Sequence, residues 1–127
     1  MMGPCLRMSL LMAASIALPA ASWGEIDIGK YRESIRTHDG KELMDVYVAG
    51  IGEGLDWANA SLINRGDRPL YCAPKTLSPS GEFYVSILQS QIKLVSTRYT
   101  EEELGKLPIE PELLVGLQNT FPCAKKK

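Results

Sequence analysis

The sequence predicts an all-α domain of four to five helices, stapled by one disulfide and preceded by a secretory leader. Apolar residues recur at the three- and four-residue spacing of helices, and turn-forming residues divide the chain into helical stretches. No convincing alternating strand of any length occurs. The chain of 127 residues is long enough for one domain with a core of its own.

The first 22 residues have the pattern of a signal peptide. Arg7 gives a positive start, and the run from Met8 to Ala21 is apolar apart from small hydroxyls. We expect export to the periplasm and cleavage after Ser22 or after Gly24; the first cut leaves residues 23–127 as the mature domain. The apolar run of about 14 residues is shorter than the roughly 20 of a membrane-spanning helix, so a stable membrane anchor is the weaker alternative.

Two of the three cysteines stay in the mature protein, because Cys5 leaves with the leader. An oxidising compartment favours a disulfide between Cys72 and Cys123. In the chain-entropy model this bridge stabilises the fold by about 4 kcal/mol, because it closes a long loop in the unfolded chain. The alternative is two buried free thiols. A zinc site is disfavoured because His38, the one histidine, lies far from both cysteines in sequence.

The longest predicted helix runs from Lys41 to Ile63, with Asp39 as a candidate cap. No element is assigned to the preceding residues 25–35. The apolar positions of this helix recur at helical spacing and are Leu43, Met44, Tyr47, Val48, Ile51, Leu55, Ala58 and Leu62. Three glycines, at positions 50, 52 and 54, are costly inside a helix and predict close approach of another helix. They do not have the spacing of a nucleotide-binding loop.

A charged loop from Asn64 to Pro69 follows this helix. Ser78 and Pro79 then have the pattern of a cap and a first helical position, which predicts a helix from Pro79 to Arg98. Its expected buried face comprises Tyr84, Ile87, Leu88, Gln91, Ile92, Val95 and Tyr99.

The last third of the sequence predicts two shorter helices. Thr100 and Glu103 fit a capping box for a helical turn that ends near Gly105. After Pro108 and Pro111, a final helix carries Leu113, Leu114 and Leu117 and stops at Phe121.

Charge and residue content point away from several functions. Loss of Arg7 takes the formal net charge from −1 to −2, which favours neither nucleic acid nor an anionic membrane as a partner. The basic run Lys125–Lys127 is interpreted as a solvated tail. No nucleophile–histidine pair, metal-ligand pattern or cofactor motif is present, so we expect neither catalysis nor a cofactor.

The stretch from Tyr47 to Cys123 resembles the Rap1a/Tai family of immunity proteins, small exported proteins of Gram-negative bacteria. The matching features, in order, are Tyr47-Val48-Ala49-Gly50 with Gly54 and Trp57, then Cys72-Ala73-Pro74, Gln91, Tyr99 and Phe121-Pro122-Cys123. Family members often carry a further cysteine before the first of these elements, where this chain has Met44-Asp45-Val46. A second disulfide of the family pattern is therefore missing.

The resemblance implies a helical periplasmic protein, commonly a homodimer. Such a protein binds a peptidoglycan amidase effector of a type VI secretion system and blocks its active-site groove. We hypothesise that Arg65, Asp67 and Arg68 contact this partner, because the three are charged and expected to be exposed; the alternative is a merely solvated loop.

Other functions stay open at this point. A periplasmic acid-stress chaperone is also a small helical protein with one disulfide, and the 15 acidic side chains here would supply titratable charge. An enzyme built on a carboxylate pair, or a family member without a cognate effector, are further alternatives. The identity of the effector cannot be read from the chain.

Overall fold

Five α-helices make up the described part of the chain, residues 25–124 of a computed structural model. The helices are α1 (Ile28–Ser34), α2 (His38–Asn64), α3 (Gly81–Val95), α4 (Glu101–Gly105) and α5 (Ile109–Thr120). Within this range the only strand-like feature is an isolated bridge between Asp27 and Pro108. The all-α prediction is confirmed. The predicted leader and the basic run Lys125–Lys127 lie outside the described residues.

Helix α2 begins earlier than predicted because a different residue caps it. The side chain of Thr37 accepts a hydrogen bond from the backbone N–H of Gly40 at 3.1 Å, so Thr37 is the N-cap. Asp39 lies inside the first turn, and its prediction as the cap was wrong. An acidic side chain there still interacts favourably with the positive end of the helix.

Helix α3 is shorter than predicted at both ends. Ser80 caps it by accepting from the N–H of Phe83 at 3.3 Å, so the predicted cap at Ser78 and Pro79 was wrong and both residues lie in the preceding loop. The helix ends at Val95 rather than Arg98. Tyr99 therefore lies beyond the helix and is exposed, whereas the other six residues of the predicted face are buried.

The start of the described chain meets the connection between α4 and α5. Asp27 caps α1, and the backbone N–H of Ile28 donates to the carbonyl of Leu107 at 2.9 Å. The predicted capping box at the start of α4 is confirmed, with Thr100 and Glu103 each bonding the other's backbone N–H. Helix α5 accommodates Pro111 because the first turn of a helix needs no N–H donor there.

The core is built around α3, which packs against both α2 and α5. Its fully buried members include Val48 of α2, Leu88 of α3 and Leu113 of α5. Close approach depends on two glycines: a Cβ at Gly52 would lie 2.2 Å from the ring of Tyr84, and one at Gly116 would lie 2.8 Å from Ile87.

The predicted packing role holds for only one of the three glycines in α2. A Cβ on either Gly50 or Gly54 would meet nothing within 4 Å, so these two do not serve helix contact among residues 25–124. Leu43, one of the apolar positions that recur at helical spacing in α2, is 64% exposed. Among the described helices, none is both long and apolar enough to cross a membrane.

Candidate partner-binding loop

The connection between α2 and α3, residues 65–80, is called the α2–α3 loop here. It starts with a backbone motif that ends α2 cleanly. Gly66 adopts a positive φ of 76°, its N–H donates to Ile63 at 3.0 Å, and the N–H of Asp67 donates to Leu62 at 2.9 Å. This pair of bonds is a Schellman motif, which satisfies the last carbonyls of a helix and turns the chain away from its axis.

Asn59 holds the middle of the loop from beneath. This side chain is 6% exposed on the inner face of α2. Its oxygen accepts from the N–H of Leu70 at 2.7 Å, and its nitrogen donates to the carbonyl of Tyr71 at 2.9 Å. One amide group thus satisfies the backbone donor of Leu70 and the backbone acceptor of Tyr71.

Tyr71 forms a second attachment, through the carboxylate of Asp56. The hydroxyls of Tyr71 and Tyr84 both donate to this carboxylate, one from the loop and one from α3. Burial first, and then the hydrogen bond to Asp56, raises the pKa of each tyrosine well above its ordinary value. Both hydroxyls therefore stay protonated donors across the neutral range, and the loop, α2 and α3 share one buried polar centre.

The predicted disulfide forms the third attachment. Cys72 is bonded to Cys123 just beyond α5. Beside it, the N–H of Cys72 donates to the carbonyl of Phe121 at 2.9 Å, and the side chain of Gln118 donates to the carbonyl of Leu70 at 3.2 Å. The loop is thus attached to α5 covalently and by hydrogen bonds.

The outer part of the loop is exposed and carries charge. Arg65, Asp67 and Arg68 are all exposed, and Arg65 pairs with Asp67 at 3.1 Å. An ion pair this exposed contributes little stability, so its residues are available for other contacts. Arg68 also lines a shallow cavity of about 460 Å³ between the loop and the end of α5. The structure therefore brings the three predicted contact residues to one exposed turn.

The sequence analysis did not identify the residues that hold the loop, which are Asn59, Asp56 and Tyr71. One signal could have identified Asn59: it shares the spacing of Val48 and Gly52, on the inner face of α2. A polar residue at such a position needs buried hydrogen-bond partners. Nothing local distinguishes Asp56 from the other carboxylates of the chain, since its two tyrosine partners are remote in sequence.

The described residues contain no group of three or more histidine, cysteine, aspartate or glutamate side chains that could hold a metal ion. His38 is exposed at the start of α2, with ring nitrogens 3.6 Å from carboxylate oxygens of Asp39 and Glu42.

Comparison with protein-family models, with curated proteins and with solved structures found no match to this chain.

Proposed function

We propose that this protein is a periplasmic immunity protein of the Rap1a/Tai type. In this proposal it binds a peptidoglycan amidase effector of a type VI secretion system and blocks the active-site groove, without chemistry of its own. The α2–α3 loop is the contacting element, and Arg65, Asp67 and Arg68 are its partner-facing side chains.

The attachment of the loop is the observation that supports this proposal most. Binding costs free energy for every segment that becomes ordered on association, so an inhibitory loop is most effective when it is already held in place. Here Asn59, Asp56 and the Cys72–Cys123 disulfide hold the loop's base while its charged turn stays exposed. A stoichiometric inhibitor needs this combination of a rigid base and an accessible edge.

The charge of the loop indicates what its partner surface should look like. Arg65, Arg68 and Lys75 are exposed cations, and Asp67 is the one carboxylate among residues 65–80. An effector surface that is predominantly acidic around its groove would be complementary and would bind faster at low ionic strength.

The first experiment is co-purification of the protein, expressed from its full sequence with its leader, together with the product of the adjacent open reading frame. Suppression of peptidoglycan cleavage by the complex is the expected result. A loop variant with R65A, D67A and R68A should bind the effector more weakly. A matched variant with K93A, E102A and K106A removes the same charges from exposed positions on α3, on α4 and directly after α4, and should bind normally.

Two results would contradict the proposal in different ways. Full inhibition by the loop variant would exclude these three side chains as the contact. Absence of any complex, with the protein folded and oxidised, would favour the acid-stress chaperone class. A chaperone of that class should lose near-UV circular dichroism and bind an apolar dye at about pH 3 while it retains helix.

A further inference from the structure

A small cavity lies behind the α2–α3 loop, where the loop meets three helices. Asp56 of α2, Ala73 of the loop, Phe83 of α3 and Leu117 of α5 all line it. Its volume is about 150 Å³, which corresponds to about five non-hydrogen atoms at the roughly 30 Å³ that one water molecule takes up in the liquid. The cavity therefore has room for a small ligand or for the end of one long side chain.

One wall of this cavity carries a carboxylate that has no cation beside it. Asp56 accepts hydrogen bonds from the hydroxyls of Tyr71 and Tyr84, but none of the ion pairs in the described part of the chain includes it. Lys75 is the one cation among residues 71–80, and it is exposed and does not line the cavity. Two hydroxyl donors stabilise the carboxylate but leave its charge uncompensated, so a cation would bind favourably beside it.

The rest of the cavity wall is largely aromatic and aliphatic. Tyr71, Phe83 and Phe121 contribute the aromatic part, and the rings of Phe83 and Phe121 stack with their centroids 6.1 Å apart. The face of an aromatic ring carries partial negative charge and attracts organic ammonium groups. Leu77 and Leu117 add apolar surface, which suits alkyl groups, whereas a hard metal ion requires several oxygen ligands. This combination of walls matches an alkylammonium group better than an inorganic cation or a neutral molecule.

We propose that the cavity binds an alkylammonium group, with its charge against Asp56 and its alkyl groups against Tyr71, Phe83 and Phe121. Such groups occur on small free cations and at the ends of lysine side chains, and both sources present the same chemistry to the cavity. A bound group contacts the loop together with α2, α3 and α5, so it should hold the loop more firmly to the helices. The proposal goes beyond the proposed function and does not depend on it.

The test is titration of the folded, oxidised protein with tetramethylammonium chloride, followed by NMR without any effector. The methyl groups of Ala73, Leu77 and Leu117 line the cavity and report binding directly. Their signals should shift with a dissociation constant of about 1 mM, because a ligand with so few atoms cannot bind tightly. tert-Butanol is similar in size but neutral and should bind at least about tenfold more weakly. Sodium chloride at equal concentration controls for ionic strength.

Two variants remove the two parts of the site separately. Asp56→Asn removes the charge but keeps an oxygen that can accept from a tyrosine hydroxyl, and it should bind tetramethylammonium at least about tenfold more weakly. Phe83→Leu keeps an apolar side chain without a ring face and should bind it about threefold more weakly. The matched variant Glu53→Gln removes a carboxylate one turn earlier on α2 that does not line the cavity, and its affinity should stay within about twofold. Near-UV circular dichroism verifies that each variant is folded.

Butylammonium distinguishes the two sources of the group, because it reproduces the end of a lysine side chain. Binding of either cation supports the proposal. Tighter binding of butylammonium indicates a lysine side chain as the occupant, and tighter binding of tetramethylammonium indicates a small free cation.

Three results would overturn the proposal. They are unshifted cavity methyl signals with both cations, equal binding of tert-butanol, and unchanged binding by folded Asp56→Asn or Phe83→Leu. Because the effector is absent from every sample, none of these results bears on immunity.

Discussion

Replacement of Asn59 by alanine removes the attachment that holds the middle of the α2–α3 loop. Two hydrogen bonds are lost, to the N–H of Leu70 at 2.7 Å and the carbonyl of Tyr71 at 2.9 Å. Each contributes about 1 kcal/mol, and a backbone group left buried without a partner costs about 1–3 kcal/mol more. Because alanine is a better helix former than asparagine, the substitution also stabilises α2 by about 0.7 kcal/mol. We expect the free energy of unfolding to fall by about 2–4 kcal/mol.

Urea unfolding followed by far-UV circular dichroism measures this loss, and amide hydrogen exchange locates it. The Leu70 amide should lose its protection in Asn59→Ala, whereas the Asp67 amide, which bonds to Leu62 at 2.9 Å, should keep most of its own. Asn64→Ala, at an exposed position at the end of α2, is the matched control and should change stability little. A loss below about 1 kcal/mol with Leu70 still protected would refute the argument that Asn59 holds the loop.

Three further predictions concern the glycines of α2, the disulfide and Tyr47. Gly52→Ala should destabilise the fold by about 1–3 kcal/mol, because the added methyl group clashes with the buried ring of Tyr84. Gly50→Ala should instead stabilise the fold by about 0.5–1 kcal/mol, because its Cβ meets nothing within 4 Å. Equal effects of the two variants in thermal unfolding would contradict the different surroundings of the two glycines. Replacing Cys72 and Cys123 with serine should lower the free energy of unfolding, measured by urea denaturation, by about 4 kcal/mol. An equal free energy of unfolding for the oxidised wild type and the double variant would show that the bridge does not constrain the unfolded chain. Burial and the hydrogen bond to the Glu110 carboxylate raise the pKa of Tyr47 to about 12. The stability that this shift contributes is therefore complete below about pH 10 and is lost as the pH rises towards 12. Tyr47→Phe should reduce the fall of the free energy of unfolding in this range by up to about 1.4 kcal/mol per pH unit, and an unchanged slope would contradict the shift.

Local patterns were enough to predict the elements whose determinants lie within a few residues. The capping box of α4 depends only on Thr100 and Glu103, which are three residues apart, and it was predicted correctly. The caps of α2 and α3 were misplaced by two residues each, because Thr37 and Ser80 compete with Asp39 and Ser78 that have the same capping chemistry. Which of two neighbouring candidates caps a helix depends on how the helix packs.

The sequence by itself determined the helical class, the order of the elements and the cysteine pair, since periodicity, turn residues and cysteine count are properties of the chain. Only the tertiary structure decided which glycine meets a ring, which leucine of α2 faces water, and what holds the loop. Asn59 and Asp56 act through partners on the loop and on α3, and the exposure of Leu43, Val46 and Trp57 is apparent only once α3 is seen to cover the opposite face of α2. A periodic pattern reports that a face is apolar, whereas burial depends on contacts between residues far apart in sequence.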